Sequence, residues 1–396
     1  MKFCALFLLG LITFINPAYA DRNTPSWVTE GPYLKNSSAS FEIPIKVFAT
    51  KLYVEIEIGG KPRRFVFDTG SPSMIDTALV EELGLKVIDK NKGIDAHGAV
   101  VETEIVQVNV LIAGIAIQKV PMMTANFSGS ELTKSFIGDG VLGSDLFPLG
   151  AWQFDLKNSL LRFNTNLNEL PHIKQAKSLK LYQFGYPYMP IFDVKFAKKA
   201  RSKAMLDTGS PTFFAISSLD LGGARKASGV GKTISGYGSP GGSLGGQAPE
   251  TELLQLELKN LAIDKIKLGR VTAKKRDLPP SLIGARILEN YIITLDSRSE
   301  SAYFKEYFDG PFTNSSFGFS LAFNHNISIG AVWDDSPAKA AGLRTGIELT
   351  SINGIDIEYT REGLFRAVAA MKGQEIELAW KGGSAKLVRK ILIPVE

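Results

Sequence analysis

Cysteine and histidine are scarce in this chain of 396 residues, and their scarcity excludes two classes of protein. The single cysteine, Cys4, leaves no possibility of a disulfide framework. His97, His172 and His325 lie far apart, without acidic partners at metal-ligand spacing, so we predict no metal site and no cofactor. Charged residues make up 21% and hydrophobic residues 44%, which is ordinary for a folded globular protein and argues against disorder.

Long apolar runs are also lacking beyond the first twenty residues. Lys2 gives a positive start, residues 3–15 are almost wholly apolar, and the Ala18-Tyr19-Ala20 triplet has the small-x-small pattern of a cleavage site. We therefore predict a signal peptide over residues 1–20, cut after Ala20, and an exported protein that is periplasmic or extracellular. The run is too short for a membrane span. Basic clusters lack interleaved aromatic residues, so no nucleic-acid partner is predicted.

What the sequence does contain is glycine, 38 residues of it, and an internal repeat. The segment Phe65-Val66-Phe67-Asp68-Thr69-Gly70-Ser71-Pro72 is echoed by Ala204-Met205-Leu206-Asp207-Thr208-Gly209-Ser210-Pro211. Further matches in the same order are Val141-Leu142-Gly143 with Leu282-Ile283-Gly284, Asp155 with Asp296, and Phe163 with Phe304. An ordered set of matches predicts two copies of one mostly β unit, at 43–168 and 176–306, after an N-terminal segment at 21–42.

An aspartate at the end of an apolar strand is costly to bury alone, and the repeat offers two. Asp68 and Asp207 can share one proton if the copies bring them together, so that one carboxylate activates water and the other protonates a carbonyl oxygen. We expect Thr69 and Thr208 to hydrogen-bond across the pair, and Gly70 and Gly209 to allow a tight turn whose N–H groups support the carboxylates. Ser71 and Ser210 are expected to place hydroxyls near the outer carboxylate oxygens.

The doubled Asp-Thr-Gly-Ser motif, each copy followed by an apolar-apolar-Gly strand, resembles the pepsin/retropepsin superfamily of aspartic proteases. The resemblance implies a mostly β, bilobal acid-protease fold of two retropepsin-like β-barrel units. It implies an aspartic endopeptidase acting on peptides or unfolded proteins, with a monomer sufficient for catalysis. It also implies flap hairpins over the cleft, for which the candidates are His97 with Gly98 and Tyr237 with Gly238.

The C-terminal segment, residues 310–396, resembles a PDZ domain. Phe317-Gly318-Phe319 is similar to the apolar-Gly-apolar carboxylate-binding loop, and Ser336-Pro337-Ala338 with Ala341-Gly342-Leu343 is similar to the core signature. The resemblance implies that this segment binds peptide C-termini by adding them to a sheet edge. A helix is predicted from Thr360 to Met371, with Leu364, Phe365, Val368 and Met371 on one face.

Two other functions fit the same motifs. The first is a non-catalytic peptide-binding scaffold or chaperone of the cell envelope, in which the protease fold only grips extended chains. The second keeps the protease but lets the PDZ-like segment cover the cleft until a peptide displaces it.

Overall fold

The computed structural model describes residues 24–308, 312, 315–323, 326–358 and 360–394. The predicted signal peptide at 1–20 and the predicted domain start at 310 lie outside these residues. Strands dominate the described chain, so the mostly β fold class is confirmed. None of the described helices is long and apolar enough to cross a membrane.

The first β unit, residues 26–164, closes its main sheet into a barrel. Its helices are α1 (Ser26–Glu30), α2 (Thr77–Glu82) and α3 (Glu131–Ile137). Its strands are β1 (Tyr33–Leu34), β2 (Ser40–Pro44), β3 (Lys46–Phe48), β4 (Lys51–Ile58), β5 (Lys61–Phe67), β6 (Met74–Asp76), β7 (Val87–Ile94), β8 (Val100–Ile112), β9 (Ile115–Ala125), β10 (Gly140–Leu142), β11 (Ala151–Asp155) and β12 (Leu160–Asn164). The pairings β4–β5–β10–β6–β9–β8 return to β4, and β7 pairs with the outer part of β8. Closure satisfies the strand edges, and the β7–β8 hairpin projects from the barrel.

The second β unit, residues 177–306, repeats this strand order. It contains α4 (Ser218–Lys226) and the strands β13 (Lys177–Lys180), β14 (Ile191–Ala197), β15 (Ala200–Asp207), β16 (Phe214–Ser217), β17 (Val230–Gly238), β18 (Gly242–Ser243), β19 (Gly246–Gln247), β20 (Thr251–Ile263), β21 (Ile266–Arg276), β22 (Ser281–Gly284), β23 (Tyr291–Asp296) and β24 (Ser301–Glu306). The pairings β14–β15–β22–β16–β21–β20 return to β14, and the β17–β20 hairpin projects in the manner of β7–β8. The repeat seen in the sequence is thus also a repeat of topology.

A central sheet joins the two units, with strand order β13-β24-β23-β11-β12-β2. The joint is the antiparallel pairing of β11 with β23, in which Trp152 lies opposite Leu295. Trp152 is fully buried in an apolar core that contains residues of both units. Strand β2 crosses the predicted boundary at residue 42 and pairs with β12, so the N-terminal segment contributes to this sheet. Short 3₁₀ helices connect strands at Phe127–Gly129, Ser144–Leu149, Leu167–Glu169, Ile173–Gln175, Ala285–Glu289 and Ser297–Ser299.

The C-terminal module, the described part of residues 315–394, has an apolar core of its own. Its elements are β25 (Ser315–Ser316), β26 (Phe319–Phe323), β27 (Ile327–Trp333), α5 (Pro337–Ala340), β28 (Leu349–Ile352), β29 (Ile355–Asp356), α6 (Arg361–Ala370), β30 (Glu375–Trp380), β31 (Gly383–Val388) and β32 (Lys390–Ile391). Strand β27 pairs with β17, so the module extends the sheet of the second β unit.

Helix α6 is present as predicted, and two parts of the chain share its apolar side. Leu364 is fully buried and Met371 packs on the module's core, whereas Phe365 and Val368 pack on a cluster of the first β unit. One broad apolar face therefore packs against two different parts of the chain. Helical periodicity shows which positions are apolar, but not how many partners share them.

Candidate active site

Asp68 and Asp207 lie at the ends of equivalent strands: Asp68 directly follows β5, and Asp207 is the last residue of β15. Strand β5 lies parallel to β10, with Phe67 beside Leu142, and the Asp68 N–H donates to the Leu142 carbonyl at 2.9 Å. Strand β15 lies parallel to β22, which places Asp207 beside Gly284. In both units the apolar-apolar-Gly strand therefore lies next to the strand that carries the aspartate, and it fixes where that strand ends.

The two threonines lock the aspartate loops to each other. The Thr69 N–H donates to Thr208 Oγ1 at 3.0 Å, and the Thr208 N–H donates to Thr69 Oγ1 at 3.1 Å. Each hydroxyl then donates to a carbonyl of the opposite unit, Thr69 to Leu206 at 2.6 Å and Thr208 to Phe67 at 2.9 Å. Both side chains are fully buried, so these four bonds are shielded from water and hold the loops in one geometry.

The glycines of the motif bring the two carboxyl groups close together. The N–H groups of Gly70 and Gly209 both donate to Asp68 Oδ1, at 2.9 and 3.1 Å. A Cβ added at Gly70 would lie 2.6 Å from Asp207 Cγ, and one at Gly209 would press on the Asp68 carboxylate. Only glycine leaves enough space here. Two backbone N–H groups thus satisfy one oxygen of Asp68.

Asp207 is set up differently. Its Oδ1 accepts a single backbone bond, from the Ser210 N–H at 3.0 Å. Burial and the neighbouring negative charge of Asp68, with which it shares a hydrogen bond, raise the pKa of Asp207 to about 7, although the positive charge of Lys51 acts in the opposite direction. Because two carboxyl groups this close do not ionise together, the pair holds one proton, and Asp207 is the residue that carries it.

The serines of the motif differ from expectation. The Ser210 hydroxyl hydrogen-bonds with Thr212 Oγ1 at 3.0 Å, and it is the Ser210 backbone N–H that reaches the carboxylate. The Ser71 hydroxyl is buried and has no hydrogen-bond partner among the described residues. The tight turn after each aspartate already supplies backbone donors to the carboxylates, and neither serine hydroxyl hydrogen-bonds with them among the described residues.

The projecting hairpins of the two units meet at their tips. His97 and Gly98 lie in the turn between β7 and β8, where the Asp95 carboxylate accepts from the His97 and Ala99 N–H groups, both at 2.9 Å. Asp95 also accepts from the Ser243 hydroxyl and, at 2.9 Å, from the Gly245 N–H of the other hairpin. Burial raises the pKa of Asp95, but these hydrogen bonds outweigh it and hold that pKa below its ordinary value. The carboxylate therefore joins the two tips while it is ionised.

The tips lie on the same side of the molecule as the aspartates. Arg276 donates from Nη2 to the Ala96 carbonyl in the first tip at 3.4 Å. Burial lowers the pKa of Arg276, whereas the charge of Asp207 raises it. The guanidinium therefore interacts electrostatically with Asp207 and also contacts the tip. Arg276 therefore connects the first hairpin tip with the surroundings of Asp207.

Tyr237 and Gly238, the other flap candidates, lie at the end of β17 rather than in the tip. They pair with Val332 and Ala331 of β27. Bonds on either side continue this pairing: the Ser239 N–H donates to Gly330 at 2.9 Å. The second hairpin is therefore held along one edge by the C-terminal module.

The C-terminal module also touches the first β unit through a line of aromatic rings. Phe365 of α6 stacks on Phe48 at a centroid distance of 3.9 Å and an interplanar angle of 15°. Phe48 lies 6.3 Å from Phe136 of α3, and Phe136 stacks 6.1 Å from Phe323 of β26. Two rings of the first β unit thus fill the space between α6 and β26.

The predicted carboxylate-binding loop, Phe317-Gly318-Phe319, is a buried turn that leads into β26, whose first residue is Phe319. Phe317 and Phe319 are buried, and the Gly318 N–H donates to Ser316 Oγ at 3.0 Å. Gly318 has a φ of 86°, and a Cβ there would collide with Ser336, so glycine is required. The loop is well formed, but its central N–H already has a partner.

Sequence reasoning missed Lys51, Asp95 and the aromatic pair Phe48 and Phe136. Each acts through a contact with a residue far away in the chain, and none belongs to a motif. A comparison of the two copies could have indicated Lys51, because the matching positions of the second copy are the uncharged Met189 and Pro190.

Comparison with known proteins identifies part of this site. Residues 54–146 match the family model described as Aspartyl protease, a match that includes Asp68 and β10 and ends before the second β unit. This stretch is therefore an aspartyl protease domain of the retropepsin-like kind, and membership of that family implies an aspartic peptidase acting on peptides. No curated protein matches the chain.

Proposed function

We propose that the chain is an aspartic endopeptidase whose catalytic dyad consists of Asp68 and Asp207, one from each β unit. The observation that carries the proposal is the reciprocal Thr69–Thr208 bonding, which places two Asp-Thr-Gly loops face to face. A structural role alone gives no reason for a pair of carboxyl groups in this position, because like charges at close range destabilise the fold.

The unequal surroundings of the two aspartates support a division of labour. Ionised Asp68 takes a proton from a water molecule held between the carboxylates, and the water oxygen attacks the peptide carbonyl carbon. Asp207 donates its proton to the carbonyl oxygen, which gives a neutral tetrahedral diol. When the diol collapses, Asp207 recovers a proton from a hydroxyl, Asp68 protonates the amine nitrogen, and the C–N bond breaks. No covalent enzyme intermediate forms.

The test is the digestion of an unfolded protein by the chain from Asp21 onward, with the fragments identified by mass spectrometry. We expect internal cuts, and we expect a statine-type transition-state mimic to block them because its hydroxyl occupies the place of the attacking water. Digestion that proceeds unchanged with saturating mimic, or the absence of any cut, would contradict the proposal.

We further propose that the C-terminal module is PDZ-like and acts as a latch on the cleft. It binds both sides: β27 holds the second hairpin, and Phe365 contacts Phe48 of the first β unit. Thr345 Oγ1, which bonds Glu250 at 3.2 Å, adds a further contact to the second hairpin loop. The space between β26 and α6, where a peptide C-terminus would add as a strand, contains Phe48 and Phe136. A peptide must displace these rings, so peptide binding and release of the cleft are coupled.

Export is also a proposal, supported by the apolar segment and the Ala18-Tyr19-Ala20 pattern in the sequence. N-terminal sequencing of the protein recovered from the cell envelope or medium tests it, since the mature chain is expected to begin at Asp21.

A further inference from the structure

Lys51 is a cation of the first β unit that reaches into the aspartate loop of the second. It is the first residue of β4, after a turn in which Ala49 and Thr50 have φ values of 47° and 67°. Positive φ at both central residues is the geometry of a tight two-residue hairpin turn, and this turn fixes where β4 begins. The Lys51 ammonium donates to the carbonyl oxygen of Gly209, two residues after Asp207.

In the described part of the chain, Lys51 forms no ion pair with a carboxylate within 4 Å. Its bond is to a neutral carbonyl, which is a weaker partner for an ammonium group than a carboxylate. Lys51 is partly exposed. The charge of Lys51 acts on Asp207 without an ion pair between the two, so the ammonium group can still pair directly with an anionic ligand.

The cleft is asymmetric as a result. Met189 and Pro190 stand at the matching positions of the second β unit and carry no charge. The strands that carry the aspartates pack on small apolar clusters in both units, with Val66 and Val141 in one and Met205 and Leu282 in the other. Lys51 is therefore a charge that the first β unit carries and that the second lacks at the matching positions.

We propose that Lys51 is a specificity-determining residue that selects an acidic side chain close to the scissile bond of the substrate. An Asp or Glu side chain replaces the Gly209 carbonyl as the partner of the ammonium group and forms a charge-assisted hydrogen bond. The Gly209 carbonyl is then freed for a substrate N–H. The proposal rests on the endopeptidase function proposed above.

The experiment compares peptides that differ only by Glu or Gln, with that residue moved from three positions before the scissile bond to three after it. For the unmodified chain we expect kcat/KM to favour Glu by about tenfold at one position, as a bond to a charged group contributes more than one to a neutral amide. Lys51→Met reduces this ratio to about one, whereas Lys51→Arg retains it. Lys46→Met is the matched control, since Lys46 is an exposed lysine of the same β3–β4 hairpin.

A second readout separates this role from a purely structural one. Because the charge of Lys51 lowers the pKa of Asp207, Lys51→Met is expected to move the basic limb of the pH–rate profile to higher pH, and Lys46→Met is not. A Glu preference that is absent in the unmodified chain, or that survives Lys51→Met, would overturn the proposal. Failure to cleave any peptide would instead count against the endopeptidase function itself.

Discussion

Asp68→Asn and Asp207→Asn are each expected to reduce kcat/KM for peptide cleavage by about 10⁴-fold or more. Asparagine has the shape of aspartate and keeps an oxygen for the backbone N–H donors, but it can neither accept the proton of water nor donate a carboxylic proton. At position 68 the general base is lost, and at position 207 the general acid is lost. Binding of the statine-type mimic remains measurable in both variants, which separates loss of chemistry from loss of the fold.

Asp207→Asn abolishes activity but is expected to stabilise the folded chain at high pH. The pKa of Asp207 is raised in the folded chain, so the aspartate favours folding at low pH, and this contribution is lost as pH rises from 3.8 through about 7. Asparagine stays neutral at every pH. At pH 8 we therefore expect the variant to be more stable than the unmodified chain, by on the order of 2–4 kcal/mol.

Urea unfolding at pH 4 and pH 8 measures this difference. Asp356→Asn is the control, because Asp356 is an exposed aspartate on the C-terminal module. Equal stability of the Asp207→Asn and Asp356→Asn variants at pH 8 would mean that the Asp68 and Asp207 carboxyl groups do not repel each other, and the shared-proton arrangement would be wrong.

Phe136→Ala is expected to increase both peptide cleavage and peptide binding. The substitution removes a ring from the space between β26 and α6 but leaves the Phe136 carbonyl, which accepts the Tyr53 hydroxyl, in place. Aromatic contacts of this kind contribute about 0.5–1.5 kcal/mol. Weakening the closed state by that amount raises kcat/KM for an unfolded protein, and the affinity for a peptide with an apolar C-terminal residue, by about 2- to 10-fold.

Phe308→Ala is the matched control, since the Phe308 side chain is 57% exposed at the end of the second β unit. Cleavage assays and fluorescence binding with a labelled peptide report the two effects separately. A rise in both supports the latch. A loss of activity with no gain in peptide affinity would show instead that the module supports the cleft without closing it.

The sequence predicted the aspartate pair because the two copies of the motif share one register, and symmetry then dictates that Asp68 and Asp207 meet. It predicted the glycines because their role follows from local backbone geometry, and the threonines because the same symmetry brings them together across the pair. Lys51, Asp95 and Phe136 were beyond its reach, since each acts across an interface between parts of the chain that are distant in sequence. The same reason explains α6: its apolar positions were visible, but the division of Phe365 and Leu364 between two partners was not.

The pH dependence of kcat/KM for cleavage of an unfolded protein, measured from pH 3 to 8, tests the shared-proton dyad most directly. We expect a bell-shaped profile whose basic limb lies near pH 7, where the proton on Asp207 is lost. The profile should disappear in both the Asp68→Asn and Asp207→Asn variants. Cleavage that continues undiminished at pH 8, or that survives either substitution with the same profile, would contradict a dyad made of these two residues.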